Sequence, residues 1–177
     1  MALSKSQWLE EGFKLLSEFS QDKLRIQYLC DRLKVTRGSF YHHFTGIDNY
    51  IEEMMEAWEE ENTHAMMRQA NEGTNAEESM DLLSKAVSTK NQSIEAAIRS
   101  WSFYQPTVAK HLAKVDKLRL QFLKGLHSRM GRSDEEAALL ADLDYGALIG
   151  IQQLYPNIAQ EKMKALWAMQ KKLIMGE

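Results

Sequence analysis

Residues 36–43 read Thr-Arg-Gly-Ser-Phe-Tyr-His-His, a run dense in hydrogen-bond donors around a single glycine. Thr36, Gly38 and Ser39 are small enough to let a backbone come close to another surface. Arg37 adds a forked donor that can give two parallel bonds to a guanine edge. Tyr41, His42 and His43 place further donors along a flank, where phosphate oxygens would pass. Phe40 and Phe44, four residues apart, would anchor the same helix inward. Arg25 is expected at a helix N-terminus, where a cation opposes the macrodipole. A phosphate partner would explain it, and a merely solvated side chain would do so equally.

Other chemistries find less support. His42 and His43 are adjacent, so on a helix they point about 100° apart and share one metal ion poorly. His64, His111 and His127 have no partner spacing and read as surface or pocket polar groups. Cys30, the one cysteine, sits at a helix-packing position and reads as a small buried residue. A single cysteine allows no intrachain disulfide and no Cys-rich zinc site. There is no nucleophile motif, phosphate loop or metal motif. The sequence therefore predicts a non-enzyme with no cofactor and no metal.

The elements that must hold residues 36–43 are helical. Leu3-Ser4-Lys5-Ser6-Gln7-Trp8 opens a first helix, with Ser4 and Gln7 as a capping box and Leu3 with Trp8 as a hydrophobic staple. Trp8, Leu15, Leu16 and Phe19 recur at helical spacing, and Ser20-Gln21-Asp22 breaks the pattern. A short second helix runs from 25 to 33 on the face Ile26, Leu29, Cys30 and Leu33. Lys34-Val35 turns the chain, and Thr36 is an N-cap for a third short helix ending near His43. Two helices this short need a third to pack on. The arrangement is a helix-turn-helix, whose second helix would read a DNA major groove from its N-terminal end.

A long fourth helix is expected from 47 to 71, with Ile51, Met54, Met55, Trp58, Ala65 and Met66 on one stripe. Its six carboxylates between Glu52 and Glu61 read as a solvated face. Further helices are expected over 76–89, 92–104, 106–130, 134–155 and 158–175. Caps are expected at Asn75 and Ser133, Pro106 in a first turn, and Pro156 between the last two helices. The fold class is all-α with about nine helices: a three-helix DNA-binding head over 1–46 and a larger helical effector and dimerisation domain over 47–177.

Composition agrees. The chain has 177 residues with 44% hydrophobic and 27% charged side chains, the balance of a folded domain. Nine glycines and two prolines are too few for a turn-rich β sandwich. The net charge of -3 speaks against a protein that coats nucleic acid, yet residues 1–46 carry +2 and the remainder -5. No apolar stretch approaches the ~18 residues of a membrane span, and no signal pattern opens the chain. No membrane association and a reducing cytoplasm are expected.

The run from Leu29 to Phe44, Leu-Cys-Asp-Arg-Leu-Lys-Val-Thr-Arg-Gly-Ser-Phe-Tyr-His-His-Phe, resembles the DNA-binding region of the TetR family of bacterial transcription regulators. Weaker similarity extends through Ile98-Arg99-Ser100-Trp101, Pro106, Val115-Asp116, Arg119 and the stretch from Gly146 to Gly150. The resemblance implies a homodimer with two helix-turn-helix heads that binds palindromic double-stranded operator DNA and usually represses. A small molecule in the larger domain would release the DNA. By position, Arg37, Gly38 and Ser39 would face bases, and Tyr41, His43 and Gln27 or Arg25 would hold phosphates. Two positions depart from the family. Lys34 stands where Gly is usual, and a left-handed backbone there costs a lysine roughly 1 kcal/mol. Ile47 stands where a phosphate-binding Lys is usual. The alternative is a dimer of the same fold whose helix-turn-helix serves protein contacts.

Residues 137–155 are apolar almost all round and so must be buried all round. Ala137, Ala141, Gly146, Gly150 and Leu154, with Met163, Leu166 and Trp167 of the last helix, would form a four-helix interface between two subunits. Met54, Met55, Trp58, Trp101, Tyr104, Phe122 and Tyr145 could line an effector pocket or form an ordinary core.

Overall fold

The computed structural model describes residues 3–19, 21–155 and 157–175. Ser20 and Pro156, read above as a break and a separator, lie outside the described residues. The described residues form helices and no strand: α1 (Lys5–Phe19), α2 (Ile26–Leu33), α3 (Arg37–Tyr41), α4 (Ile47–Glu59), α5 (Ala65–Ala70), α6 (Ala76–Ser88), α7 (Gln92–Trp101), α8 (Pro106–Arg129), α9 (Asp134–Leu154) and α10 (Gln160–Met175). Only a π-helical turn, Glu60–His64, separates α4 from α5. Together they are the long fourth helix of the sequence pattern, so the described helices number the nine expected.

The helix starts follow local chemistry. Ser4 and Gln7 close a capping box: the Ser4 N–H donates to Gln7 Oε1 at 2.8 Å, and the Gln7 N–H donates to Ser4 Oγ at 3.4 Å. Ser133 and Glu136 do the same for α9. Bonds from Ser133, side chain first and then main chain, hold the Glu136 carboxyl below its ordinary range. Asn75 caps α6 by accepting from the Glu78 N–H at 2.9 Å.

The chain divides into two compact units. The first holds residues up to Glu59 together with Ser93–Ala113, and the second holds Glu60–Gln92 with residues from Lys114 onward. In the first unit α4 packs on α1. Tyr50 Oη donates to the Trp8 main-chain oxygen at 2.7 Å. Gly12 permits that approach, since a Cβ there would run into the Tyr50 hydroxyl and the Met54 sulfur.

In the second unit Leu123, Ala141, Tyr145 and Leu148 form a core against which Leu83, Leu120 and Trp167 pack. Polar groups run through it. Arg119 donates to the Thr63 hydroxyl at 3.1 Å, the Asn62 main-chain oxygen at 2.9 Å and the Tyr145 hydroxyl at 3.1 Å. Tyr145 in turn donates to Asp116 at 2.6 Å. Two of Arg119's acceptors lie on the π turn, a local widening that ordinary helical spacing does not announce. His127 Nε2 lies 2.7 Å from Asp144 Oδ2, and Gln170 donates to the other Asp144 oxygen at 2.6 Å.

Candidate nucleic-acid interface

An aromatic cluster seats α3. Trp8, Phe40, Phe44 and Tyr50 are buried, with Trp8 edge-on to Phe40 at 5.4 Å and Phe44 edge-on to Tyr50 at 4.9 Å. Such offset pairs add about 0.5–1.5 kcal/mol each beyond their burial. Burial first, and the Glu11 carboxylate second, push the Tyr50 hydroxyl well above the ordinary phenol range. Leu29 and Cys30 hold α2 on the same core. Burial is also the main reason that the Cys30 thiol is pushed up.

The turn between α2 and α3 is tight. Lys34 has φ 55° and ψ 44°, the left-handed conformation that favours glycine, and the Val35 N–H reaches the Cys30 carbonyl at 3.0 Å. Thr36 takes the N-cap position of α3 with an extended backbone. Its hydroxyl makes no cap bond, and the first turn closes instead through the Ser39 N–H to the Thr36 carbonyl at 3.0 Å.

With Phe40 turned inward, α3 shows its polar residues to solvent. Thr36, Arg37 and Gly38 are exposed, Ser39 is half-buried, and Tyr41 and His42 are exposed. Arg25 sits at the N-cap of α2, exposed and making no side-chain cap bond. Gln27 is exposed but engaged, donating to Asp31 at 2.8 Å. His43 is half-buried, and its Nε2 lies 2.8 Å from the Leu3 carbonyl oxygen. This ring nitrogen ties down the segment before α1. Arg32 is also spent inside the unit, on Glu11 at 2.7 Å and Glu18 at 3.0 Å.

Gly38 is the most informative residue of this surface. Its φ is not positive, and an added Cβ would meet only Thr36 Oγ1 at 3.6 Å, an ordinary contact. The fold has no need of a glycine here. Gly146 and Gly150 on α9 share this property, since a Cβ at either meets nothing within 4 Å.

The expected pocket residues fall in both units. Met54, Met55, Trp58 and Trp101 are buried in the first. Tyr104 does not join them: α7 ends at Trp101, and Tyr104, on the turn that follows, is 78% exposed. In the second unit Tyr145 is buried within the Arg119 network, and Phe122 is half-buried. A groove of about 240 Å³ lies between the start of α9 and the end of α10, lined by Arg132, Glu136, Leu139, Leu140 and Ile174. None of these is an expected pocket residue.

Of the expected interface residues, Ala137, Ala141 and Met163 are enclosed by their own chain, so their side chains are not free for a partner. Leu166 and Trp167 are half-buried. Gly150 is half-buried, and Gly146 and Leu154 lie on the open face of α9 together with Leu139 and Leu143, with Leu143 66% and Leu154 73% exposed. On α10, Met169 and Leu173 are open. No described helix is long and apolar enough to cross a membrane.

The chain matches no protein-family model and no curated protein. Solved structures similar to it over nearly its whole length include two regulators. One is described as a transcriptional regulator from Pseudomonas aeruginosa PAO1, with a TM-score of 0.68 and 14% identity, covering 96% of this chain and 89% of that one. The other is the fatty acid degradation regulator FadR from Bacillus halodurans, with a TM-score of 0.73 and 14% identity, covering 96% and 93%. The all-helical chain therefore shares the fold of these two structures.

Proposed function

We propose that this chain is a TetR-type transcription regulator that binds palindromic operator DNA as a homodimer, represses, and is released by a small apolar ligand. The observation that carries the proposal is Gly38, an exposed glycine that the fold does not require, between Arg37 and Ser39 on the first turn of α3. A side chain missing without structural need points to a surface that comes close from outside. A major groove is such a surface, with Arg37 and Ser39 reading base edges. Thr36, Tyr41, His42 and Arg25 contact phosphates on either side. Ligand binding belongs to the helical region after α4.

The dimer is proposed to form through α9 and α10. A row of Leu139, Leu143, Gly146, Gly150 and Leu154 offers an apolar face with two points of close backbone approach. A second copy would cover it in a four-helix arrangement.

A second reading has the head bind protein. It is favoured by the carboxylates of α4, by Ile47 in place of a phosphate-binding lysine, and by the Asp31 carboxylate beside Gln27. Selection from random duplexes with the purified chain tests both. Recovery of a two-fold symmetric site, with half-sites one helical turn apart, supports the DNA reading. Recovery of no preferred sequence favours the protein-binding reading.

A further inference from the structure

The face of α9 that its own chain leaves open carries both large and small residues. Leu139, Leu143 and Leu154 are exposed. Gly146 is exposed and Gly150 half-buried, and a Cβ at either would meet nothing within 4 Å. The leucines therefore stand out from the helix, and the positions of Gly146 and Gly150 between them are hollow. Their spacing is symmetric. Leu143 and Gly150 lie equally far from a point between Gly146 and Ala147, and so do Leu139 and Leu154. A two-fold axis through that point, perpendicular to the helix, runs a second α9 antiparallel to the first. Each Leu143 then fills the hollow at Gly150 of the partner subunit, and Leu139 lies beside Leu154 of the partner subunit. A parallel second copy would set leucine against leucine at 143 and glycine against glycine at 150. That crowds one level and leaves a void at the other.

Charge favours the same direction. The carboxylates of α9 are Asp134, Glu135, Glu136, Asp142 and Asp144, all before Tyr145, and no charged residue follows in the helix. Asp144 is buried beside His127, and Asp134 lies 2.8 Å from Lys124. Glu135, Glu136 and Asp142 are exposed. Antiparallel copies set these against the partner's uncharged half, whereas parallel copies set like charges side by side. The groove at the start of α9 fits the same register. Leu139 and Leu140 line it with Arg132, Glu136 and Ile174. The side chain that reaches Leu139 in this register is the partner's Leu154, which its own chain leaves exposed.

We infer that two copies of this chain join through an antiparallel pair of α9 helices, in which Leu143 seats on the partner's Gly150 and the partner's Leu154 closes the groove at Leu139. The register rests on the dimer of the proposed function and adds which residues of the two copies meet.

Disulfide cross-linking of the full chain tests it. Leu143→Cys, Gly150→Cys and the double variant are oxidised at micromolar concentration beside the wild type, whose Cys30 is buried. Positions 143 and 150 are about 10.5 Å apart along one helix, too far for a disulfide within a chain or between like positions of two antiparallel chains. Only the double variant brings cysteine opposite cysteine. It should give at least about tenfold more covalent dimer on a non-reducing gel than either single variant. Leu139→Cys with Leu154→Cys should repeat the pattern, which keeps the register testable should Gly150→Cys weaken the dimer. Single variants that cross-link as well as the double variant would overturn the register. So would both double variants staying unlinked in a dimeric protein. Light scattering of the wild type is a separate arm. A monomer there removes the dimer of the proposed function itself, whereas a dimer with the wrong cross-links overturns the register alone.

Discussion

The Tyr50 hydroxyl donates to the Trp8 main-chain oxygen at 2.7 Å, joining residues 42 apart in sequence. The bond ties α4 to α1, and Trp8 in turn packs on both Phe40 and Phe44, which seat α3. Tyr50→Phe keeps the ring and removes the bond. Stability should fall by about 0.5–1.5 kcal/mol, the usual net value of one hydrogen bond. Denaturant unfolding of the two proteins checks this, and an unchanged midpoint would contradict it.

Lys34 has a left-handed backbone. Lys34→Gly relieves a strain of about 1 kcal/mol. For a chain of this size the melting temperature should rise by about 2–4 °C, as calorimetry would read. A lower melting temperature would mean that glycine's freedom in the unfolded chain outweighs the strain.

Gly150 has open space around its Cβ position. Gly150→Leu should therefore leave the monomer folded and wedge the proposed subunit interface apart. Leu143→Glu should do the same by placing a charge on that face. Light scattering should show a wild-type dimer at micromolar concentration and monomers for both variants, with unchanged circular dichroism. A wild-type monomer would remove the interface.

Ile47 opens α4 and is half-buried. Ile47→Lys should add one phosphate contact per subunit at a helix N-terminus. The slope of log K against log salt should steepen by about 1.8 for a dimer, at roughly 0.9 per phosphate. Operator and random DNA should gain alike, because phosphate contacts carry no base information. An unchanged slope with a lowered melting temperature would instead make Ile47 a packing residue.

How legible the molecule is in its sequence depends on the range of each interaction. Helix starts at Ser4, Asn75 and Ser133 are decided within four residues, and the structure shows the expected caps. The inward turn of Phe40 and Phe44 follows from their spacing. The polar interior is different. His111 meets carboxylates 52 and 59 residues away, and His127 meets Asp144 from another helix. No local pattern announces such pairs, so both histidines read as surface or pocket groups and Glu59 as part of a solvated run. The π turn at Glu60–His64 is hidden for the same reason, since Arg119, which bonds it, lies more than fifty residues on. Tyr104 shows the cost of one misplaced helix end: moving the end of α7 from 104 to 101 takes the side chain out of the interior.

The most direct test of the central claim is the affinity of wild type and Arg37→Ala for the selected operator and for random duplex at one fixed salt concentration. Arg37 is exposed, so the variant should fold and dimerise as the wild type does. A lost bidentate contact costs about 1–3 kcal/mol per half-site. The account predicts that preference for the operator collapses by at least about 30-fold in the dimer, while binding to random duplex falls only slightly. Operator preference that is unchanged in Arg37→Ala would contradict the assignment of α3 as the reading helix.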